Sequence, residues 1–324
     1  MRALVESIGV RAYYRISQNC FVHAVDDVSL SIKKGRVIGI AGESGSGKST
    51  LLRVLAALIN YPLTLLGGKV LYNINEKKID LLSLDEKELR GLRWKIFSII
   101  PQYAMDSLNP VSKIRNIFIE TINAHQKIKD FQEPEKLIED ALEKTGLSKR
   151  FLRFYPSQLS GGMRQRVVIA LATLLKPQII FCDEPTTGLD LVTQKNIIQL
   201  FREIQEKYKN TLVLVSHDMG FHAQITDVIN IMYAGKIVES GPTEKLFTQP
   251  YQPYTKALIN SLPVIGDKSY KEGISGSPPF TLNLLKGCRF SRRCPYSSSI
   301  CEKEEIPLIE LEPEHFVACK KVGV

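Results

Sequence analysis

No uninterrupted apolar stretch in the 324 residues approaches the ~18 needed to cross a bilayer as a helix. The chain therefore brings no membrane span of its own. The N-terminal residues lack the short apolar core of a signal peptide, so the expected location is the cytoplasm. No block of basic residues stands out: 43 Lys and Arg against 34 Asp and Glu give a formal charge of +9, but they are scattered. That distribution reads as a solvated surface and argues against a nucleic-acid tract or a lipid anchor. Cysteine is sparse as well, with six in all, and without an export signal they do not read as a disulfide framework. What is present, 44% hydrophobic and 24% charged residues, suits one large globular domain with an appendage.

The strongest local signal is Gly42-Glu43-Ser44-Gly45-Ser46-Gly47-Lys48-Ser49-Thr50, between the apolar run 37–41 and the helical run 51–58. Gly42, Gly45 and Gly47 let the backbone curl until its N–H groups, Ser44 to Thr50 among them, face an anion. The following helix adds the positive end of its dipole. At this spacing Lys48 reaches the outer phosphates of a nucleotide, and the Ser49 hydroxyl can ligate Mg²⁺.

The rest of the chain reads as an α/β protein. Alternation at Val5, Ile8 and Val10 predicts a short strand, and residues 21–32 predict a further pair. Tyr13 and Tyr14 lie between them, where either ring could stack on a base. Gly67-Gly68 predicts a turn into a hairpin over 69–74 and 77–81, and 85–93 a short charged helix. The buried strand 96–100 ends at Pro101-Gln102, and a helical period follows from 112 to about 153. Ser160-Gly161-Gly162 reads as an N-cap and an open helix start, a second anion-binding terminus. The apolar strand 178–182 runs into Asp183, placed to bind Mg²⁺ through water, and Glu184, placed to polarise a water attacking a γ-phosphate. A further strand, 212–216, ends at His217, and 228–232 with 236–239 is expected to close the sheet.

Taken in order, these segments resemble the nucleotide-binding subunit of an ABC transporter, over about residues 5–262. The resemblance implies a P-loop NTPase cassette, a mixed sheet core plus a helical subdomain inserted at about 103–165. It implies a Walker A loop at 42–49, a Q-loop at Gln102, a signature at 159–165, a Walker B strand ending at Asp183, a D-loop at 188–190 and a switch histidine at His217. Glu184, His217 and Gln102 are then the expected catalytic group. Lys48, Ser49, Gln102 and Asp183 are expected around Mg-ATP, with Ser160, Gly161 and Gly162 completing the site of a second subunit. The runs 155–166, 183–187 and 254–258 resemble the dipeptide/oligopeptide importer branch. Gly188 and Cys182 depart from that branch's usual residues without removing a reacting group.

The branch implies a motor on the cytoplasmic face of the membrane, paired with a homologous, different ATPase subunit. It works with two permeases and an extracytoplasmic solute-binding protein. Peptides are the expected cargo, with oligosaccharides or nickel as alternatives. A soluble ABC ATPase acting on nucleic acid is the rival class, and the absence of a long coiled coil or second cassette speaks against it.

Four of the six cysteines fall in the last 37 residues: Cys288, Cys294, Cys301 and Cys319. Residues 263–287 read as a linker and 288–324 as a cysteine-rich extension. Four thiolates suit an iron–sulfur cluster or Zn²⁺, and the branch tilts the expectation to [4Fe-4S]. Arg289, Arg292, Arg293, Lys320 and Lys321 are expected to balance the cluster's charge, and the tail to stand apart from every ATP motif.

Overall fold

The computed structural model describes residues 3–126, 132–262, 273–279 and 286–321. Much of the expected linker, 263–272 and 280–285, lies outside the described residues. Among those described, no helix is long and apolar enough to cross a membrane.

The chain opens with β1 (Ala3–Ser17) and β2 (Cys20–Lys33), then β3 (Val37–Ala41), which ends at the glycine loop and enters α1 (Lys48–Leu55). β4 (Leu63–Ile74), β5 (Lys77–Asp80), α2 (Glu86–Leu92) and β6 (Phe97–Ile100) follow. The helical part comprises α3 (Ile114–His125), α4 (Glu133–Lys144) and α5 (Gly161–Thr173). β7 (Ile179–Asp183), α6 (Leu191–Tyr208), β8 (Thr211–Ser216), α7 (Met219–Ile225), β9 (Val228–Tyr233) and β10 (Lys236–Pro242) complete the core. α8 (Thr243–Thr248), α9 (Pro253–Asn260), α10 (Ser299–Lys303), β11 (Ile309–Glu312) and β12 (His315–Val317) make up the C-terminal part.

Two sheets result: a four-stranded antiparallel one ordered β2-β1-β4-β5, and an eight-stranded one ordered β11-β12-β10-β9-β3-β8-β7-β6. Every residue of β3, β7 and β8 is buried, as expected of central parallel strands covered on both faces. Their side chains alternate between two cores. Ile179, Phe181, Val213 and Val215 join a cluster with α1 and the antiparallel sheet. Ile180, Cys182, Leu212 and Leu214 join one with Phe118, Ile138, Val167 and Phe201 of the helices. Because β6, β7, β8 and β3 run parallel, their C-terminal ends meet at one edge, where open α/β sheets bind ligands.

Four expectations change. Tyr13 and Tyr14 lie inside the long strand β1 rather than in a connection after it. Residues 21–32 form part of one long strand, β2, bent by register shifts against β1 rather than broken by a turn. Gly67-Gly68 lies within β4: Gly68 has φ 91°, and a Cβ there would sit 2.5 Å from the Val10 Cα. It therefore lies opposite a bulge of β1, where the two strands close in, and is not a turn. Finally, β10 does not close the sheet, because β12 pairs with it through Glu239 and Ser240 and β11 extends it further.

Candidate nucleotide site

The loop after β3 is shaped by positions that exclude side chains. A Cβ on Gly42 (φ 147°) would meet the Met232 carbonyl at 2.1 Å, and one on Gly47 (φ 102°) the Ala24 carbonyl at 1.9 Å. Gly47 caps α1 in a left-handed conformation with no side-chain cap hydrogen bond among the described residues, so the positive helix end is left for a ligand.

One cleft gathers Tyr14, Gly42, Ser44, Gly45, Gly47, Lys48, Ser49, Thr50, Gln102, Glu184 and His217. These residues come from five separate stretches of sequence. Lys48 Nζ is folded back, donating to the carbonyls of Gly42 and Glu43 at 2.8 Å each. Burial lowers its pKa, opposed by the charges of Glu184, Asp183 and Glu43. The Ser49 hydroxyl donates to Asp183 Oδ1 at 2.8 Å. Burial raises the Asp183 carboxyl pKa despite that hydrogen bond. Both groups offer hard oxygen donors side by side, the chemistry Mg²⁺ selects.

Glu184 follows β7 with φ 47°. His217 Nδ1 and the Thr187 hydroxyl each lie 2.7 Å from one of its carboxylate oxygens. Burial pushes its pKa up, but the hydrogen bonds from His217 and Thr187 outweigh that and the net shift is downward. The group is thus held ionised and oriented. Nothing in the sequence around Thr187 assigns it a role; only the fold brings its hydroxyl to Glu184.

The two tyrosines separate. Tyr14 lines the cleft, its hydroxyl 3.2 Å from that of Thr50. Tyr13 is not among the cleft-lining residues: its buried ring stacks on His23 at 4.0 Å and its hydroxyl donates to Asp26 at 2.5 Å. Ser160 caps α5, with its hydroxyl 3.4 Å from the Met163 amide nitrogen. With Gly161 and Gly162 it lines a separate hollow beside Gly188, Leu189 and Asp190. The signature start and the phosphate loop therefore face different openings of this chain.

The cysteine segment departs most from expectation. Cys288, Cys294, Cys301 and Cys319 line one small cavity with Phe290, Lys320 and Lys321. Yet among the described residues no group of three or more His, Cys, Asp or Glu is arranged to hold a metal ion. Burial raises the thiol pKa of Cys288 to about 11, and it also raises those of Cys294 and Cys319. Arg289 and Arg293 do not face these sulfurs. Arg289 pairs with Asp26, and Arg293 pairs with Glu43 inside the phosphate loop at 2.7 Å. The tail is therefore not separate from the ATP motifs.

Residues 25–187 match the family model described as ABC transporter, and residues 238–301 the one described as oligopeptide/dipeptide transporter, C-terminal region. The chain is 41% identical to a dipeptide transport ATP-binding protein of Caldanaerobacter subterraneus subsp. tengcongensis, over 98% of this chain and 97% of that one. It is 38% identical to an oligopeptide transport ATP-binding protein of Bacillus subtilis, over 98% and 96%. Among solved structures, a dimeric bacterial ABC transporter cassette superposes with TM-score 0.64 at 29% identity, over 74% of this chain and 98% of that one. A dimeric post-hydrolysis cassette bound to ADP and Pi gives 0.63 at 30%, with the same coverage.

Proposed function

Since the chain belongs to the ATP-binding subunits of dipeptide/oligopeptide ABC transporters, we propose that its cleft binds Mg-ATP and that Glu184 orients the attacking water. The protein is the transport-coupled ATPase subunit of a peptide importer, working with permease and solute-binding partners. The observation that carries the site reading is the convergence of the glycine loop, Lys48, Gln102, Glu184 and His217 on one cleft. Phosphoryl transfer asks the protein mainly for positioning and charge. Lys48, released from its own loop carbonyls, takes the outer phosphates; Ser49 and Asp183 hold Mg²⁺, with Gln102 at its margin. His217 and Thr187 fix Glu184 for the water, and Tyr14 is the ring placed for the base.

The Ser160-Gly161-Gly162 start is assigned to the ATP of a second ATPase subunit, because it opens on another hollow than its own loop. That subunit is a homologous partner, and the pair sits on the cytoplasmic face of the membrane. The cassette is assigned to 1–262 and the cysteine-rich segment to 288–324, the latter docked on the former through β12, which pairs with β10. Four soft sulfur donors around one cavity suit a [4Fe-4S] cluster ligated by Cys288, Cys294, Cys301 and Cys319 in a structural role, with Zn²⁺ as the alternative. The test of the motor is Mg²⁺-dependent ATP hydrolysis by the purified importer, abolished by Lys48→Ala. Anaerobic purification with iron and sulfide analysis tests the cluster, and a colourless protein with stoichiometric zinc rules it out.

A further inference from the structure

Arg293, one residue before Cys294, makes a complete set of hydrogen bonds. Its two terminal nitrogens grip both oxygens of Glu43, at 2.7 and 2.9 Å. The Tyr233 hydroxyl lies 3.2 Å away, and the carbonyls of Ser275 and Ile274 accept at 2.9 and 3.2 Å. All five guanidinium hydrogens therefore have an acceptor. The Arg293 side chain is 5% exposed and that of Glu43 25%, so water screens this pair far less than a surface pair.

Glu43 is the second residue of the phosphate loop. Its backbone amide donates to the Tyr254 hydroxyl at 2.8 Å. Tyr254 in turn packs with Tyr233 and with Phe290 of the cysteine segment, at ring distances of 4.6 and 5.3 Å. The loop's first turn thus rests on an arginine and a phenylalanine supplied from about 250 residues away. Charge is the second point. A carboxylate inside a loop that receives a polyanionic triphosphate repels it unless neutralised, and Glu43 is also one of the charges acting on Lys48. Freed from Arg293, Glu43 would compete with the phosphates for the Lys48 ammonium.

We propose that Arg293 is a positioning residue of the ATP site: by orienting and neutralising Glu43 it makes nucleotide binding depend on the docked cysteine segment. This rests on the assignment of the cleft to ATP. Lysine cannot replace it fully, because an ammonium keeps the charge but lacks the planar fork.

The test is a fluorescence titration of the full-length chain with Mg²⁺ and a mant-labelled ATP, using Arg293→Gln, Glu43→Gln and the double variant. Arg293→Gln is expected to weaken binding about tenfold and Glu43→Gln by less than about threefold. The double variant should bind as Glu43→Gln alone does, within about threefold of wild type, because the repelling charge is gone. Rising salt should shrink the Arg293→Gln defect, and Arg293→Lys should fall between wild type and Arg293→Gln. Thermal midpoints separate this from a loosened tail, since detachment lowers them in both Arg293→Gln and the double variant while only the double regains affinity. Additive losses, a double variant as weak as Arg293→Gln, or unchanged binding by Arg293→Gln each overturn the proposal. If Lys48→Ala binds like wild type, the cleft assignment itself fails.

Discussion

The Nδ1 atom of His217 lies 2.7 Å from Oε1 of Glu184, so the exposed end of one strand holds the carboxylate that follows the next strand. With Thr187 on the other oxygen, the carboxylate has little freedom to turn away from the cleft. Glu184→Gln should lower ATP turnover on the order of 10²-fold or more while ATP binding survives, because Lys48 and the loop are untouched. Steady-state hydrolysis and nucleotide titration read the two effects separately. Turnover at the wild-type rate in Glu184→Gln would refute the assignment.

Gln102 lies two residues beyond the end of β6 and is exposed in the cleft, and the chain then passes through Tyr103 (φ 53°) toward α3. This route links the phosphate cleft to the helical part of the molecule. Gln102→Ala should reduce peptide uptake in reconstituted importer several-fold while changing ATP affinity by less than about twofold. An affinity loss as large as that of Lys48→Ala would show that Gln102 holds the nucleotide rather than coupling it.

The cleft was legible because its residues sit in short runs whose meaning is local: a glycine loop before a helix and acids at a strand end. Strand ends could be placed because β3, β7 and β8 are continuous apolar runs. What stayed hidden depends on distant pairings. The bulges of β1 and the hydroxyl contact with Asp26 took Tyr13 into the interior, and no periodicity near Tyr13 encodes Asp26. The Arg293–Glu43 pair spans 250 residues, and β12 found β10 through a register that no short window contains.

His222 is fully buried beneath β3, its Nε2 3.2 Å from the Ser216 carbonyl and its Nδ1 without a partner among the described residues. A second proton would have to sit on Nδ1, which faces Gly39. Burial accordingly lowers its pKa from 6.5 to about 4. The unfolded chain takes up that proton as pH falls through 6.5 and the folded one does not until about 4. The associated stability is therefore complete above 6.5 and lost progressively between the two values, up to about 3 kcal/mol. Chemical unfolding at pH 7 and pH 5 should show this loss in the wild type and a flatter dependence in His222→Gln; equal slopes would contradict it.

Cys294 neighbours Arg293, and its amide donates to the Ser291 carbonyl at 3.2 Å. Cys294→Ser alters one of the four sulfurs that line the cavity and should weaken Mg-ATP binding about threefold, through the Arg293–Glu43 contact. The turnover number at saturating ATP should hold, since Glu184 and His217 are remote from the change. A Cys294→Ser variant with fully wild-type ATP affinity would show that cavity and loop are energetically independent.

The last strand offers a way to loosen the tail without touching the cysteines or the loop. His315 of β12 and Glu239 of β10 meet at 2.9 Å with side chains 1% and 0% exposed. Glu239 also accepts from the backbone amides of Tyr251 and Gln252 at 2.9 and 3.2 Å. One buried carboxylate thus serves three donors, and its cost of burial is offset only while all three remain. Glu239→Gln turns one acceptor oxygen into an amide that must face a donor, so at least one partner is orphaned. The expected loss is about 2–3 kcal/mol in unfolding free energy, with faster proteolysis near 309–317 as β12 frays. Because Arg293 is held by the same segment, the affinity for Mg-ATP should fall in parallel, and adding saturating Mg-ATP should slow the cleavage. If cleavage quickens while nucleotide neither binds more weakly nor protects, strand docking and loop positioning are separate properties of the fold.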